Sequence, residues 1–320
     1  MGFQWTPVNA GECNAFGQAS GQRSVTLNGV PWLRVRPFFY RPLLPFQAFA
    51  PGASPAPSGA FLGAFQHAVP SADLANSSLN TLMFADATRY SQANLDYNRR
   101  RQIKISSKTF QVRAIIDPVE FKEKAYPVYL SFLERTQYQH ASHRRERAKF
   151  SQWADCLFQM PKIAVLGAFR SGGEALGAVS LSFVFDQTLV YASFFCDTAS
   201  MKHHISDGML HFVREAAADQ ALKQVFVGMR KSGSRASLDE FYLTRGCQVV
   251  SLPAYLHVNP LAKAILLTCM PKKYQRLCGR SELSNPTSDN DNDHPTPPAA
   301  RTAHPKPQSG SPIPVNRLGV

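Results

Sequence analysis

Few side chains in this sequence could carry chemistry, and they fall into three groups. His140 and His143 have H-x-x-H spacing, while His203 and His204 are adjacent. A metal pair needs ligands on one face and a carboxylate or thiolate nearby. Adjacent histidines diverge, and 140–143 has no such third group, so the sequence predicts no metal site. Cys13, Cys156, Cys196, Cys247, Cys269 and Cys278 are scattered, with no C-x-x-C pair. They read as free or buried thiols in a reducing cytoplasm. Cys196 is followed by Asp197; a nucleophilic thiol needs a base beside it, and a packed thiol is the simpler expectation.

The third group is cationic. Arg99, Arg100, Arg101 and Lys104 form one cluster; Arg144, Arg145, Arg147 and Lys149 a second; Lys272, Lys273, Arg276 and Arg280 a third, in a chain of net charge +13. Lys and Arg that neutralise phosphates give salt-dependent binding without base specificity. The clusters suit tRNA, a nucleotide-linked donor or an anionic membrane surface, and equally suit solvated helix faces. No zinc-finger, RRM or helix-turn-helix signature points to sequence-specific nucleic-acid binding.

Several elements must position these groups. The stretch 162–170 is an apolar strand run turned at Ser171-Gly172-Gly173. The run 175–185 is a second, turned at Asp186-Gln187, and 189–195 a third. Met209, Leu210, Phe212, Val213 and Ala216 make one stripe of an amphipathic helix, with Arg214, Glu215 and Asp219 off it. A strand at 223–227, a short helix at 237–244 closed by Gly246, and a strand at 247–252 complete the segment. Upstream, strands are expected at 61–69, 78–84 and 110–116. The stretch 31–46 is aromatic and strand-like, but its prolines exclude a central strand throughout, so part of it must be edge or loop, and 50–59 is a Pro/Gly surface loop. Helices are expected at 87–105, at 118–135 with a bend or break at Pro127, and at 144–158. A small helix is expected at 261–267, after Asn259-Pro260.

The order of elements across 162–256 resembles the core of GNAT-fold acyltransferases. The most specific part is 237–250, Ser237-Leu238-Asp239-Glu240-Phe241-Tyr242-Leu243-Thr244-Arg245-Gly246-Cys247-Gln248-Val249-Val250, similar to that family's final helix–strand element. The Arg-rich stretch 98–104, which closes an N-terminal section, resembles the FemAB-like branch. The resemblance covers about 99–256. It implies an α+β fold: a mixed, mostly antiparallel sheet flanked by helices, with a shorter N-terminal α/β section or degenerate second GNAT-like half.

The resemblance also implies roles. Run 189–195 becomes the splayed central strand, whose backbone N–H groups near Phe194, Phe195 and Cys196 stabilise an oxyanion. Tyr242 stands where many such enzymes carry a general acid, although FemAB-like proteins often have Lys there. The register nearest the pyrophosphate loop is His203-x-x-Ser206-x-Gly208. It departs from the family pattern, with Ser206 where a Gly is usual and Asp207 inside, suited to cap the helix rather than to hold phosphate. The implied activity is N-acyl transfer from acyl-CoA or aminoacyl-tRNA to an amine, with no tightly bound cofactor. The alternative is a non-catalytic module that binds an anionic partner, such as RNA, through basic helix faces; a membrane-surface accessory role is a third.

By composition, 1–22 is an irregular N-terminus and 281–320 a Pro/Ser/Asn-rich tail; the resemblance implies an N-terminal section or partial GNAT-like half at 23–95 and a GNAT-like domain at 96–280. The tail has three Lys/Arg against four Asp/Glu and very few large apolar residues. It cannot bury enough surface to offset ordering entropy, so disorder is expected. No run is apolar over the roughly 18 residues a membrane span needs. Met1 to Trp5 lacks a basic region followed by an apolar one, so no signal peptide is expected, and the predicted location is the cytoplasm.

Overall fold

The computed structural model describes residues 4–136, 142–230 and 236–279, all within one unit, Met1–Ser284. His140, Arg280 and the tail 281–320 lie outside the described residues, as do Met1–Phe3 and the side chain of Ser237.

The chain opens with α1 (Ala10–Ala19), β1 (Ser24–Leu27), β2 (Val30–Arg36), β3 (Phe39–Pro42), β4 (Ala64–Ala68) and β5 (Ser77–Ala85). It continues with α2 (Tyr97–Thr109), β6 (Phe110–Ala114), α3 (Pro118–Thr136), α4 (Arg147–Phe158), β7 (Ala164–Arg170), β8 (Leu176–Phe185) and β9 (Thr188–Cys196). After these come α5 (Thr198–Met201), α6 (Ile205–Asp219), β10 (Gln224–Met229), α7 (Ala236–Leu243), β11 (Gln248–Val258), α8 (Pro260–Cys269) and α9 (Pro271–Leu277).

The strands form one 11-stranded sheet ordered β1-β2-β3-β4-β11-β5-β10-β9-β8-β7-β6. Pairing is antiparallel except between β3 and β4 and between β9 and β10. Strand β5, from the N-terminal section, lies between β10 and β11 and is antiparallel to both. Both faces of the sheet's centre are covered, so β8 is buried along its whole length and reads as a continuous apolar run rather than an alternation. On one face, Phe121, Tyr129, Phe150 and Trp153 of α3 and α4 pack on Val165, Val179, Leu181 and Phe195. On the other, Ile205, Met209, Leu210 and Val213 of α6 pack on Leu166, Ala178, Leu189 and Val225.

Two of the differences from the sequence expectations have a local cause in side chains. Residues 10–19, without apolar periodicity, are helical because Asn9 and Glu12 form a reciprocal capping box. The helix expected over 87–105 starts only at Tyr97, where the Asp96 carboxylate accepts from the Arg99 N–H; short single turns precede it. Of the bend or break expected at Pro127, the break is absent: α3 is one helix across it.

Candidate active site

Strands β9 and β10 are paired over three residues only: Thr188 with Gln224, Leu189 with Val225 and Val190 with Phe226. Beyond that point β9 runs on from Tyr191 to Cys196 with no strand among the described residues on its β10 side. Two irregularities lie at this level. On β9, Leu181 faces Ser193 while Ser182 faces Tyr191, so Ala192 is an extra, bulged residue. On β10, the register against β5 slips between Phe226 and Gly228, leaving Val227 extra. Gly228 sits at φ +142°, a conformation that favours glycine. A bulge bends its strand and ends regular pairing; one on each strand opens the sheet into a V. Burial follows the opening: Thr188–Tyr191 are buried, Ala192 is exposed, Ser193 and Phe194 are half-buried, and Phe195–Cys196 are buried again. The splayed pair expected from the sequence is present.

The Ala192 bulge shifts the two-residue alternation of β9 by one, so residues five apart across it share a face. Tyr191 and Cys196 lie on the α6 face, in one cluster with Tyr242 and Cys247. Phe195 points to the opposite face, its ring edge-to-face with Tyr129 at 5.3 Å. Phe195 therefore offers the gap only its backbone. Tyr242, on α7, is 7% exposed. Burial pushes its hydroxyl above the usual tyrosine value; Cys247 adds to the rise and the Arg245 charge opposes it. Burial likewise raises the Tyr191 hydroxyl, with Tyr242 and Cys196 contributing. Both phenols stay protonated through neutral pH, so neither serves as a base there.

Cys196 closes the strand. Burial raises its thiol above the usual value, against the pull of Arg135 and Ser206. Arg135, from the last turn of α3, donates to the Cys196 carbonyl at 3.1 Å and to its Sγ at 3.6 Å. This is a packed thiol in an anchored strand end.

The three residues of the loop register do not converge. Ser206 reaches Cys196 from the first turn of α6. His203 lies against Phe110 on β6, ring centroids 6.2 Å apart. Gly208 faces α2, where a Cβ would collide with Ser106 Oγ. The Asp207 and Gly208 amides both donate to the His204 carbonyl, so they are spent inside the helix start. Asp207 is not the helix cap that the sequence suggested. His204 holds that position in the left-handed region, with no side-chain cap. The Asp207 carboxylate instead accepts from Arg245 Nε at 2.8 Å and lies 3.6 Å from Arg99 Nη1. Two guanidiniums around one carboxylate leave this corner net positive.

The sequence did not single out Tyr191, Arg135, Asp207's role as an ion-pair partner, or either bulge. Gly228 was the one legible signal, an isolated glycine at the end of a strand run. Among the described residues no group of three His, Cys, Asp or Glu could hold a metal, and no helix is long and apolar enough to cross a membrane.

No protein-family model matches the chain, and no curated protein matches it. Solved structures do. A C-terminal domain named for lysylphosphatidylglycerol synthetase, from Agrobacterium fabrum, is 11% identical with a TM-score of 0.52, covering 87% of this chain and 95% of that one. FemX is 9% identical with a TM-score of 0.52, covering 83% and 99%. A protein of unknown function from Bacteroides thetaiotaomicron is 10% identical with a TM-score of 0.50, covering 79% and 92%. At these identities the likeness is one of fold. The chain shares the mixed α+β fold of FemX and of the lysylphosphatidylglycerol synthetase domain, the fold class that the resemblance implied.

Proposed function

We propose that this protein transfers an acyl or aminoacyl group from an activated thioester or ester onto an amine. The observation that carries the reading is the V between β9 and β10, where a bulged strand presents backbone N–H groups without a strand partner. A carbonyl laid in that gap would place its oxygen against pre-oriented donors. The amine nitrogen attacks the carbonyl carbon and a C–N bond forms. The C–S or C–O bond to the donor breaks, and the amine's proton passes to solvent. The leaving thiolate or alkoxide takes its proton from Tyr242, and the tyrosinate regains one from solvent, matching the proton the amine released. Acyl-CoA and aminoacyl-tRNA are the candidate donors. Arg99, with exposed Arg100 and Arg101 on α2, supplies positive charge for either. The proposed setting is the cytoplasm.

The test is turnover on a donor panel. Acetyl-CoA, longer acyl-CoAs and charged tRNA are each incubated with the full chain and a mixed-amine acceptor pool, with products read by mass. Amide formation that falls with Tyr242→Phe supports the reading; no product from any donor counts against it.

A second reading has its own observation. The start of α6 is built for packing, with Gly208 against Ser106 and Asp207 in an ion-pair corner. A non-catalytic module that holds RNA or another polyanion on its basic helices fits that arrangement. Salt-sensitive RNA binding without turnover is its expected result.

A further inference from the structure

On the far side of β10 from the V lies a cavity of about 620 Å³. This is within the roughly 300–1,000 Å³ typical of small-molecule sites. Its floor is the sheet, with Leu79 and Met229, and its roof is the α8–α9 pair, with Ala262, Ile265 and Leu266. The roof is fastened at both ends. Asn259 donates its N–H to the Gly63 carbonyl at 2.7 Å and its Nδ2 to the Phe61 carbonyl at 2.9 Å. At the other end the Leu277 carbonyl accepts from Gln66 Nε2 at 3.0 Å, and the Cys278 carbonyl from the Ser78 N–H at 3.3 Å. Between these anchors neither helix has a buried residue, although α8 reads Pro-Leu-Ala-Lys-Ala-Ile-Leu-Leu-Thr-Cys. An apolar helix clamped over an apolar floor without burying itself leaves a space that a chain could fill.

Among the described residues that line the cavity the charged ones are Arg36, Arg41, Arg230, Lys273 and Arg276, all cationic. Arg41 stacks on Phe39 at 5.0 Å and donates through Nε and Nη2 to Gln66 Oε1 at 3.1 and 2.7 Å. Gln66 is fully buried, so this guanidinium is fixed at the cavity wall. The mouth is apolar as well: Phe38, Leu62 and Ile265 are 48%, 69% and 49% exposed. Phe38 lies directly against Gly63, and the Phe61 carbonyl is tied to Asn259, so these residues share one rim.

We propose that this cavity binds an anionic amphiphile, a molecule with a linear apolar chain and a phosphate or carboxylate head. The chain lies between sheet and roof, and the head meets the Lys and Arg side chains. The proposal does not rest on the acyl-transfer reading.

The test is calorimetric titration of the full chain with three probes below any micellar concentration: dodecyl phosphate, dodecylphosphocholine and inorganic phosphate. Dodecyl phosphate should bind saturably and at least tenfold more tightly than the other two. The Lys273→Glu/Arg276→Glu double variant, altered at exposed positions, should lose at least tenfold for dodecyl phosphate at an unchanged melting temperature. Ala262→Trp, which fills the cavity, should lose binding; should it fail to fold, Ile265→Glu at the half-exposed rim makes the same test. Co-sedimentation with phosphatidic acid vesicles separates the sources: capture means the amphiphile is met in a bilayer, and binding of monomers alone means it is met free. Equal affinity for the phosphocholine, equal affinity for inorganic phosphate, or no saturable binding would overturn the proposal.

Discussion

Tyr242 shows how much one residue's chemistry depends on packing. Its position was legible in the sequence, four residues before Gly246, but its state was not, because burial among Tyr191, Cys247 and Phe241 is a long-range fact. Tyr242→Phe should lower turnover about 100-fold while leaving the urea midpoint nearly unchanged, since the ring stays. The pH dependence has a definite sign. The useful form is the protonated one and burial raises its pKa. The acid function therefore holds through neutral and mildly alkaline pH and is lost only as pH rises beyond the ordinary tyrosine range; a kcat profile from pH 6 to 9.5 should show no fall assignable to this group. Asp207 was legible only as a charge in an awkward place. Its pairing with Arg245, whose side chain is 14% exposed, spans 38 residues that no local pattern connects. Asp207→Asn should cost about 2–3 kcal/mol by urea denaturation, and Arg245→Met in the same chain should recover part of that loss.

At the scale of elements, strand runs were legible where both faces are buried, as in β7, β8 and β9, because a continuous apolar run needs no partner to be seen. Helix starts were less so: α1 and α2 are set by the side chains of Asn9 and Asp96, which outweigh composition. The bulges were invisible, since register depends on the neighbouring strand. Gly228 ties the sequence to the V, and Gly228→Val forces a β-branched residue into a glycine conformation. The expected result is a stability loss of about 1–3 kcal/mol with turnover falling further than that loss explains, measured on protein kept well below its melting temperature. Gly208 has a different task. Gly208→Ala should destabilise the α2–α6 crossing by about 1–3 kcal/mol, and Ser106→Gly should restore it by removing the opposing hydroxyl and Cβ. If Gly208 instead served a phosphate, the second change would restore nothing.

For the whole molecule, the boundary expected near residue 95 gave no sign that one sheet runs across it. Strand β5 fills the space between β10 and β11, from more than a hundred residues upstream. A chain beginning at Asp96 would expose both flanking strand edges and the apolar residues beneath β5. It should show no cooperative melting by calorimetry, whereas the full chain should. The fold thus makes the central gap a property of the entire sheet, held open between a strand fixed by Arg135 and a strand fixed by β5. The most direct test of that claim is residue-resolved amide exchange across β9, with and without a donor that is turned over. The β10-facing amides in 191–196 should exchange much faster than those of Thr188–Val190 in the free protein and become protected when the donor binds. Full protection of 191–196 in the free protein, or no change on adding a donor that reacts, would contradict the account.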